Sequence, residues 1–323
     1  MIPFRSHVGP VLAALAVLWL GTTTTIAQSG APTASLLTSG LQGTIGSTVG
    51  PDGTLYAPEG AVGRITHVDP TTGAKTTFAS GLPPAIVSIG GAIDVAFLDQ
   101  TAYVLVTLVG FDVGGSAVDG IYRVDGPNSF TVIADIGAFA IAHPPNTPFE
   151  APSGLQFALE PYRGGFLVTD GNHNRVYQVT LDGTVTEFIA FADIVPTGLE
   201  VRGNTVYMAE AGPIPHLPQD GKIVSFGPRS PVTTVAAGAR LLVGVEFGPG
   251  HTLYGLSQGF WDDTFPGTPA EPNTGSLVKA NADGTFTVII DGLDRPTSFE
   301  FIGKTAYVVT LTGEVWRIDG VPH

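Results

Sequence analysis

Six times along the chain a Gly- or Asp-containing turn runs into a short apolar stretch that usually ends in Tyr. The six are GPDGTLY to Tyr56, LDQTAY to Tyr103, YRGGFL to Leu167, RGNTVY to Tyr207, GPGHTLY to Tyr254 and GKTAY to Tyr307. Successive anchors lie 47, 64, 40, 47 and 53 residues apart. A unit this short cannot bury a core alone, so neighbouring units must pack against one another. Around each anchor there is room for four short strands, and a period of about 40 to 50 residues with four strands per unit is the pattern of a propeller blade.

Period-2 alternation fills out each unit. An inner strand precedes the turn: GGAIDV from Gly90, PSGLQF from Pro152, PTGLEV from Pro196, LVGVEF from Leu242 and PTSFEF from Pro296. After the Tyr strand comes a third (RITHV, GIYRV, RVYQV, KIVSF, SLVKA, EVWRI), then a fourth rich in Thr, Val and Phe. Asp182-Gly183 and Asp283-Gly284 join strands three and four, a pair suited to the positive φ of a tight hairpin. Five units are complete, and a sixth beginning at Arg295 stops after three strands at Ile318. The missing strand is expected from SLLTSGL at 35–41, which resembles the fourth-strand ends TTFASGL and VIIDGL. The expectation is an all-β, six-bladed β-propeller, its ring closed by an N-terminal strand so that no edge between first and last blades stays open.

The 27 residues at the start differ from the rest. Arg5 and His7 lead into the apolar run VGPVLAALAVLWL, too short to span a bilayer, and the segment ends at a small-x-small site. This reads as a secretory signal peptide cut after Ala27, followed by a single propeller domain over 28–323. The mature product is expected to be secreted or periplasmic, without a membrane span. The chain has no Cys, which excludes disulfides, thiol catalysis and thiolate metal sites, and export without disulfides suits a bacterial cell. A net charge of −14 repels phosphate backbones and anionic lipid, leaving cations, neutral sugars and proteins as partners. The 43 Gly and 26 Pro would suit disorder, but 43% hydrophobic content favours many short strands and tight turns.

At 170–188, DGNHNRVYQVTLDGTVTEF resembles the NHL repeat, with its acidic residue, Asn-His loop, Arg-Val and strand. The chain from 33 to 320 is similar to the ScyD/ScyE family of exported propellers at PSGLQF, at PTGLEV with VYMAEAG and KIVSF, and at LVGVEF with the long insert after YGLSQG. That resemblance implies an exported six-bladed propeller and little about activity. Lactone hydrolases of the gluconolactonase type and arylesterases are similar propellers, but their metal-ligand motifs find no clear match.

In such a fold, connections from strand two to three and from strand four to the next blade share one face. The long segments 108–120, 138–153, 211–221 and 258–275 all fall there. Loops gathered on one face of a rigid scaffold commonly build sites. The inner-strand pattern places Thr48, Asp94, Gln156, Glu200, Glu246 and Glu300 at equivalent positions, and the Tyr-strand ends place Glu59, Asp170, Glu210, Ser257 and Thr310 at a second level. Converging carboxylates without bases hold protons or recruit a hard cation such as Ca²⁺; alternatively each is a fastening to backbone amides or an Arg, as Arg175 would serve Asp170. Asp94, Glu200, Glu246 and Glu300 are thus the candidate metal ligands. Phe260, Trp261, Asp262 and Asp263 in GFWDDTF read as a recognition loop or lid, or else as self-packing, and His173 and His216 join them as candidate ligand-binding residues. No G-x-S-x-G, HExxH or phosphate-binding loop is present. The expected function is a non-catalytic propeller binding a protein, glycan or small molecule on the long-loop face; the alternative is a metal-dependent lactone or ester hydrolase.

Overall fold

The N-terminal strand does close the ring. In the computed structural model, which describes residues 1, 31–262 and 267–322, Thr33–Thr38 pairs antiparallel with Val315–Asp319, with Thr33 opposite Asp319 and Leu36 opposite Trp316. It becomes the outer strand of a four-stranded sheet whose other strands come from the C-terminal end. Five more four-stranded antiparallel sheets complete a six-bladed β-propeller within the unit spanning Ala31–His323. The predicted 1–27 leader lies outside the described residues apart from Met1.

Numbering blades from the first anchor, the inner strands are Thr48–Val49, Gly91–Leu98, Gln156–Tyr162, Pro196–Arg202, Leu242–Phe247 and Pro296–Ile302. These strands pack side by side around the ring. Between blades 1 and 2 the contacts include a backbone bond from Gly46 N to Ile93 O at 2.8 Å.

The Tyr anchors explain why the repeat keeps them. Each ring leans on an aromatic of the following blade: Tyr56 on Phe97 at 4.9 Å between centroids, Tyr103 on Phe166 at 4.9 Å, Tyr207 on Phe247 at 5.0 Å and Tyr254 on Phe301 at 5.0 Å. Such pairs add about 0.5–1.5 kcal/mol each beyond their area burial. Tyr307, in the last blade, donates its hydroxyl to Pro70 O of the first at 3.1 Å. The core is accordingly a set of interblade layers, as where Ile93, Leu105 and Ile121 of blade 2 meet Phe166, Val168 and Tyr177 of blade 3.

The hairpins follow their chemistry. Gly183 takes φ +89°, Asp182 Oδ1 accepts from Thr184 N at 3.2 Å, and Gly284 takes φ +83° in the matching turn of blade 5. The period-2 reading does not include the one α-helix among the described residues, Ile136–Ala142, inside the connection from blade 2 to blade 3. Asp135 caps it, accepting from Ala138 N at 2.8 Å, and its own Ile136, Gly137 and Ala140 are buried. The apolar run IGAFAIA has helical as well as strand character, and the cap decides it.

Candidate functional site

Within each blade the strands alternate in direction, so the short turns collect at one end of the ring and the long connections at the other. Two polar levels ring the fold, one at the second-strand ends and one on the inner strands.

Near the long-connection face, the Tyr-strand ends sit in register as expected, with Thr107 filling the blade 2 position. Glu59, Thr107, Asp170, Glu210, Ser257 and Thr310 are all buried. Most are fastened. Glu59 accepts from Arg64 Nη2 at 2.7 Å, Arg64 Nε at 2.8 Å and Gln42 N at 2.8 Å, and also from Thr66. These bonds hold its carboxyl below the usual range although burial works the other way as the largest single effect. Thr107 Oγ1 donates to Gln156 Oε1 at 2.7 Å, and Ser257 Oγ to Arg240 O at 2.6 Å. Glu210 lies beside Lys222, which only partly offsets desolvation, and its pKa is pushed up to about 7.

Asp170 is the most engaged of the set. It accepts from Leu155 N (3.0 Å), His173 N (2.9 Å) and the Tyr177 hydroxyl (2.9 Å). Arg175 does not bond it directly, contrary to the simple pairing read from sequence. The guanidinium instead reaches Tyr177 Oη at 2.8 Å, His173 Nδ1 at 2.9 Å and His143 O at 2.8 Å, so the charges are relayed through a tyrosine and a histidine. His173 must then accept at Nδ1 and donate from Nε2 to Ala151 O at 2.9 Å, the neutral tautomer. Burial accordingly lowers its pKa.

The second level surrounds a cavity of about 300 Å³ lined by all six inner strands, and its glutamates stand toward the short turns. Here the register corrects the sequence alignment. Glu200, Glu246 and Glu300 stand opposite Tyr207, Tyr254 and Tyr307, but the residue opposite Tyr103 is Ala96, not Asp94, and the one opposite Leu167 is Glu160, not Gln156. The level is therefore Thr48, Ala96, Glu160, Glu200, Glu246 and Glu300. Glu160 was missed because PSGL imitates PTGL; the true match is QFALE at 156–160 with PTGLE at 196–200. A constant count back from the Tyr anchor would have found it.

Asp94 lies one inward-facing step closer to the long-connection end, among Gly46, Ala158, Gly198, Gly244 and Ser298. The strands converge there so tightly that a Cβ on Gly46 would fall 2.1 Å from Asp94 Oδ1. Its carboxylate accepts from Leu159 N of blade 3 at 2.7 Å and from Val95 N at 2.9 Å. Desolvation nevertheless dominates and pushes its pKa up to about 7. Desolvation also drives Glu160, Glu246 and Glu300 well above the carboxylate range, with mutual repulsion adding to it. Glu200 is raised less, because a hydrogen bond from Glu246 and the nearby Arg202 favour its ionised form. The four glutamates are half-buried around the cavity, and no base lines it. Among the described residues, no three Asp, Glu or His side chains are placed so that they could hold a metal ion.

The candidate ligand-binding residues scatter. His173 is buried in blade 3. His216 is buried, its Nδ1 2.7 Å from Gly212 O, and its ring meets Trp261 edge-on at 5.4 Å. Trp261 is 4% exposed and donates to Thr268 O at 3.1 Å, so this part of GFWDDTF packs into the fold. Phe260 is exposed under the guanidinium of Arg240 at 5.1 Å, Asp262 is exposed, and Asp263 lies outside the described residues.

The long-connection face itself carries a signal that residue types alone did not reveal. Ile86, Phe111, Ile141, Phe149, Ile214 and Phe260 are all exposed there, Phe111 at 93%. On the short-turn face Leu181 is the one exposed large hydrophobic among the described residues, and Leu36, Val132, Val232 and Val288 lie in outer strands.

No family model matches the chain, and no curated protein matches it. Among solved structures it is similar to a gluconolactonase from Xanthomonas campestris (13% identity, 88% of this chain and 89% of that one, TM-score 0.61). It is similar also to virginiamycin B lyase from Staphylococcus aureus (13% identity, 89% and 98%, TM-score 0.53) and to a chain of a nidogen/laminin complex (15% identity, 78% and 83%, TM-score 0.51). At these identities the likeness shows the fold: a six-bladed propeller with neighbours in the gluconolactonase and virginiamycin B lyase class.

Proposed function

We propose that the chain is an exported, non-catalytic β-propeller of the ScyD/ScyE type that binds a ligand on its long-connection face. The observation that carries this reading is the set of large apolar side chains held in solvent on that face. Exposed apolar surface gathered in one region of a monomer commonly marks a binding site. The ScyD/ScyE assignment rests on the strand motifs PTGLEV, KIVSF and LVGVEF, and export rests on the leader-like first 27 residues.

The hydrolase alternative has the gluconolactonase neighbour in its favour. It finds less support in the site: the buried polar groups near the long-connection face are largely spent on backbone and on one another, and the glutamates of the central cavity stand toward the other end. The test expresses the full chain in a bacterium, recovers it from the extracytoplasmic fraction, and assays it with and without Ca²⁺ against lactones and aryl esters. Glycan and peptide arrays are probed in parallel with the parent and a Phe111→Ser/Ile141→Ser/Phe260→Ser variant. The expected result is export, binding that the triple variant loses, and no turnover. Metal-dependent turnover would replace this reading with the hydrolase.

A further inference from the structure

Exposed bases on the propeller are confined to one face. Among the described residues every fully exposed Lys or Arg lies toward the short-turn end: Lys75, Arg163, Arg202, Arg229 and Lys304. The short-turn end balances these with exposed Asp52, Asp99, Asp125, Asp182 and Asp283, whereas the long-connection face exposes carboxylates without exposed bases, at Asp112, Glu150, Asp193, Asp262 and Glu271. Its few cations are half-buried and engaged. Arg64 is paired with Glu59 at 2.7 Å, Arg295 Nε donates to Ala270 O at 2.8 Å, and Arg240 covers Phe260.

The acidic and apolar residues belong to one continuous surface. Ile86 packs against Gly115 in the next long connection, and Asp112 Oδ2 of that connection accepts from Ser153 N at 2.9 Å in the one after. Phe149 stands against His173 at 5.0 Å, while the neighbouring Asn172 takes bonds from Glu150 N and Ala151 N. Gly212 N donates to Ile194 O at 2.9 Å, and His216 meets Trp261. A ligand crossing the shoulder from blade 1 to blade 5 therefore meets apolar side chains bordered by negative charge throughout.

We propose that this face docks a basic amphipathic polypeptide, one presenting Lys or Arg beside Leu, Ile or Phe. The inference rests on the ligand-binding reading above and names the partner class. Nucleic acid and anionic lipid meet only repulsion there, and a neutral glycan leaves both the aliphatic surface and the carboxylates unmatched. A cationic amphipathic chain covers the first and pairs with the second. Attraction between exposed charges is screened over about 10 Å at 0.1 M salt, so association should weaken as salt rises.

Fluorescence polarisation of the full exported protein with three labelled peptides tests this: an amphipathic Leu/Lys helix, its Leu/Glu counterpart, and a Ser/Lys chain of equal charge. The Leu/Lys peptide should bind at least about tenfold more tightly than either control, and less tightly as salt rises. Binding should fall about tenfold or more in Phe111→Ser/Ile141→Ser/Phe260→Ser and in Glu150→Gln/Asp193→Asn/Glu271→Gln, and hold in Arg163→Gln/Lys304→Gln on the other face, with circular dichroism confirming each fold. Equal binding of Leu/Glu, no binding of Leu/Lys, or binding indifferent to both face variants overturns the proposal. If an array ligand still binds and depends on Phe111, Ile141 and Phe260 while the Leu/Lys peptide does not, the binding face stands and the basic partner fails. Lactone or ester turnover instead refutes the underlying non-catalytic reading.

Discussion

Raising the pH from about 4.5 to about 8 should destabilise this propeller, and the cavity gives the size of the effect. Asp94 passes from an ordinary carboxyl of 3.8 to about 7 on folding, which corresponds to roughly 4 kcal/mol, an order-of-magnitude figure. A carboxyl whose folded pKa is raised binds its proton more tightly in the native state. Its penalty is absent below the unfolded pKa, grows as pH climbs through the window from 3.8 to about 7, and is complete above it. Glu160, Glu246 and Glu300 push in the same direction. The depressed acids, Glu59 among them, act oppositely: their stabilisation is present above the ordinary carboxylate value and is lost as pH falls from there through their lower folded values. Against a total stability of about 5–15 kcal/mol the optimum should lie near pH 4 to 5. Glu246→Gln keeps a donor for Glu200 and removes one charge, so it should gain more than about 1 kcal/mol at pH 8 and little at pH 4.5. Guanidinium melts followed by tryptophan fluorescence at several pH values measure both. A parent whose stability is flat or rises between pH 5 and 8, or a Gln variant no more stable at pH 8, refutes the reasoning.

Deleting Thr33–Thr38 exposes the Val315–Asp319 edge, and the shortened chain should melt far below the parent or aggregate, which calorimetry and light scattering would detect. Arg64→Ala leaves the fully buried Glu59 without its ion-pair partner. The expected loss is about 2–3 kcal/mol in denaturant melts, below the about 3–5 typical of buried pairs because the Arg64 side chain is 33% exposed. Tyr177→Phe removes the hydroxyl that Asp170 and Arg175 share, for a loss of about 1–3 kcal/mol by the same assay; a neutral result would show that the relay carries no stability.

The architecture was legible because a blade repeats its chemistry: a turn that needs Gly, an anchor that needs an aromatic to meet the next blade, an Asp-Gly hairpin. Even ring closure could be read, since SLLTSGL resembles the strand ends it replaces. The acidic level was only half legible. Glu200, Glu246 and Glu300 stand seven or eight residues before their Tyr anchors, while blade 2 has Ala96 at this level and blade 3 has Glu160, and in both the look-alike residues Asp94 and Gln156 nearer the strand start draw the alignment away. The relay from Asp170 to Arg175 was not legible, because Tyr177 and His173 enter it through burial and not through spacing. The confinement of exposed bases to the short-turn end was equally hidden: it depends on which bases the fold leaves in solvent.

The strand swap at the seam also imposes an order of events. Thr33–Thr38 leads the propeller chain and Val315–Asp319 ends it, so the first strand to emerge during synthesis or vectorial transport finds no mate until the last has followed. Contacts spanning nearly the whole sequence are the slowest to form, because the intervening chain must be ordered before they are rewarded. The five self-contained sheets are thus free to assemble in sequence, while the seam acts as a latch thrown only on a complete chain. A circular permutant that moves Thr33–Thr38 to follow Asp319 would turn that latch into an ordinary hairpin, and should reach the same closed ring by a faster route.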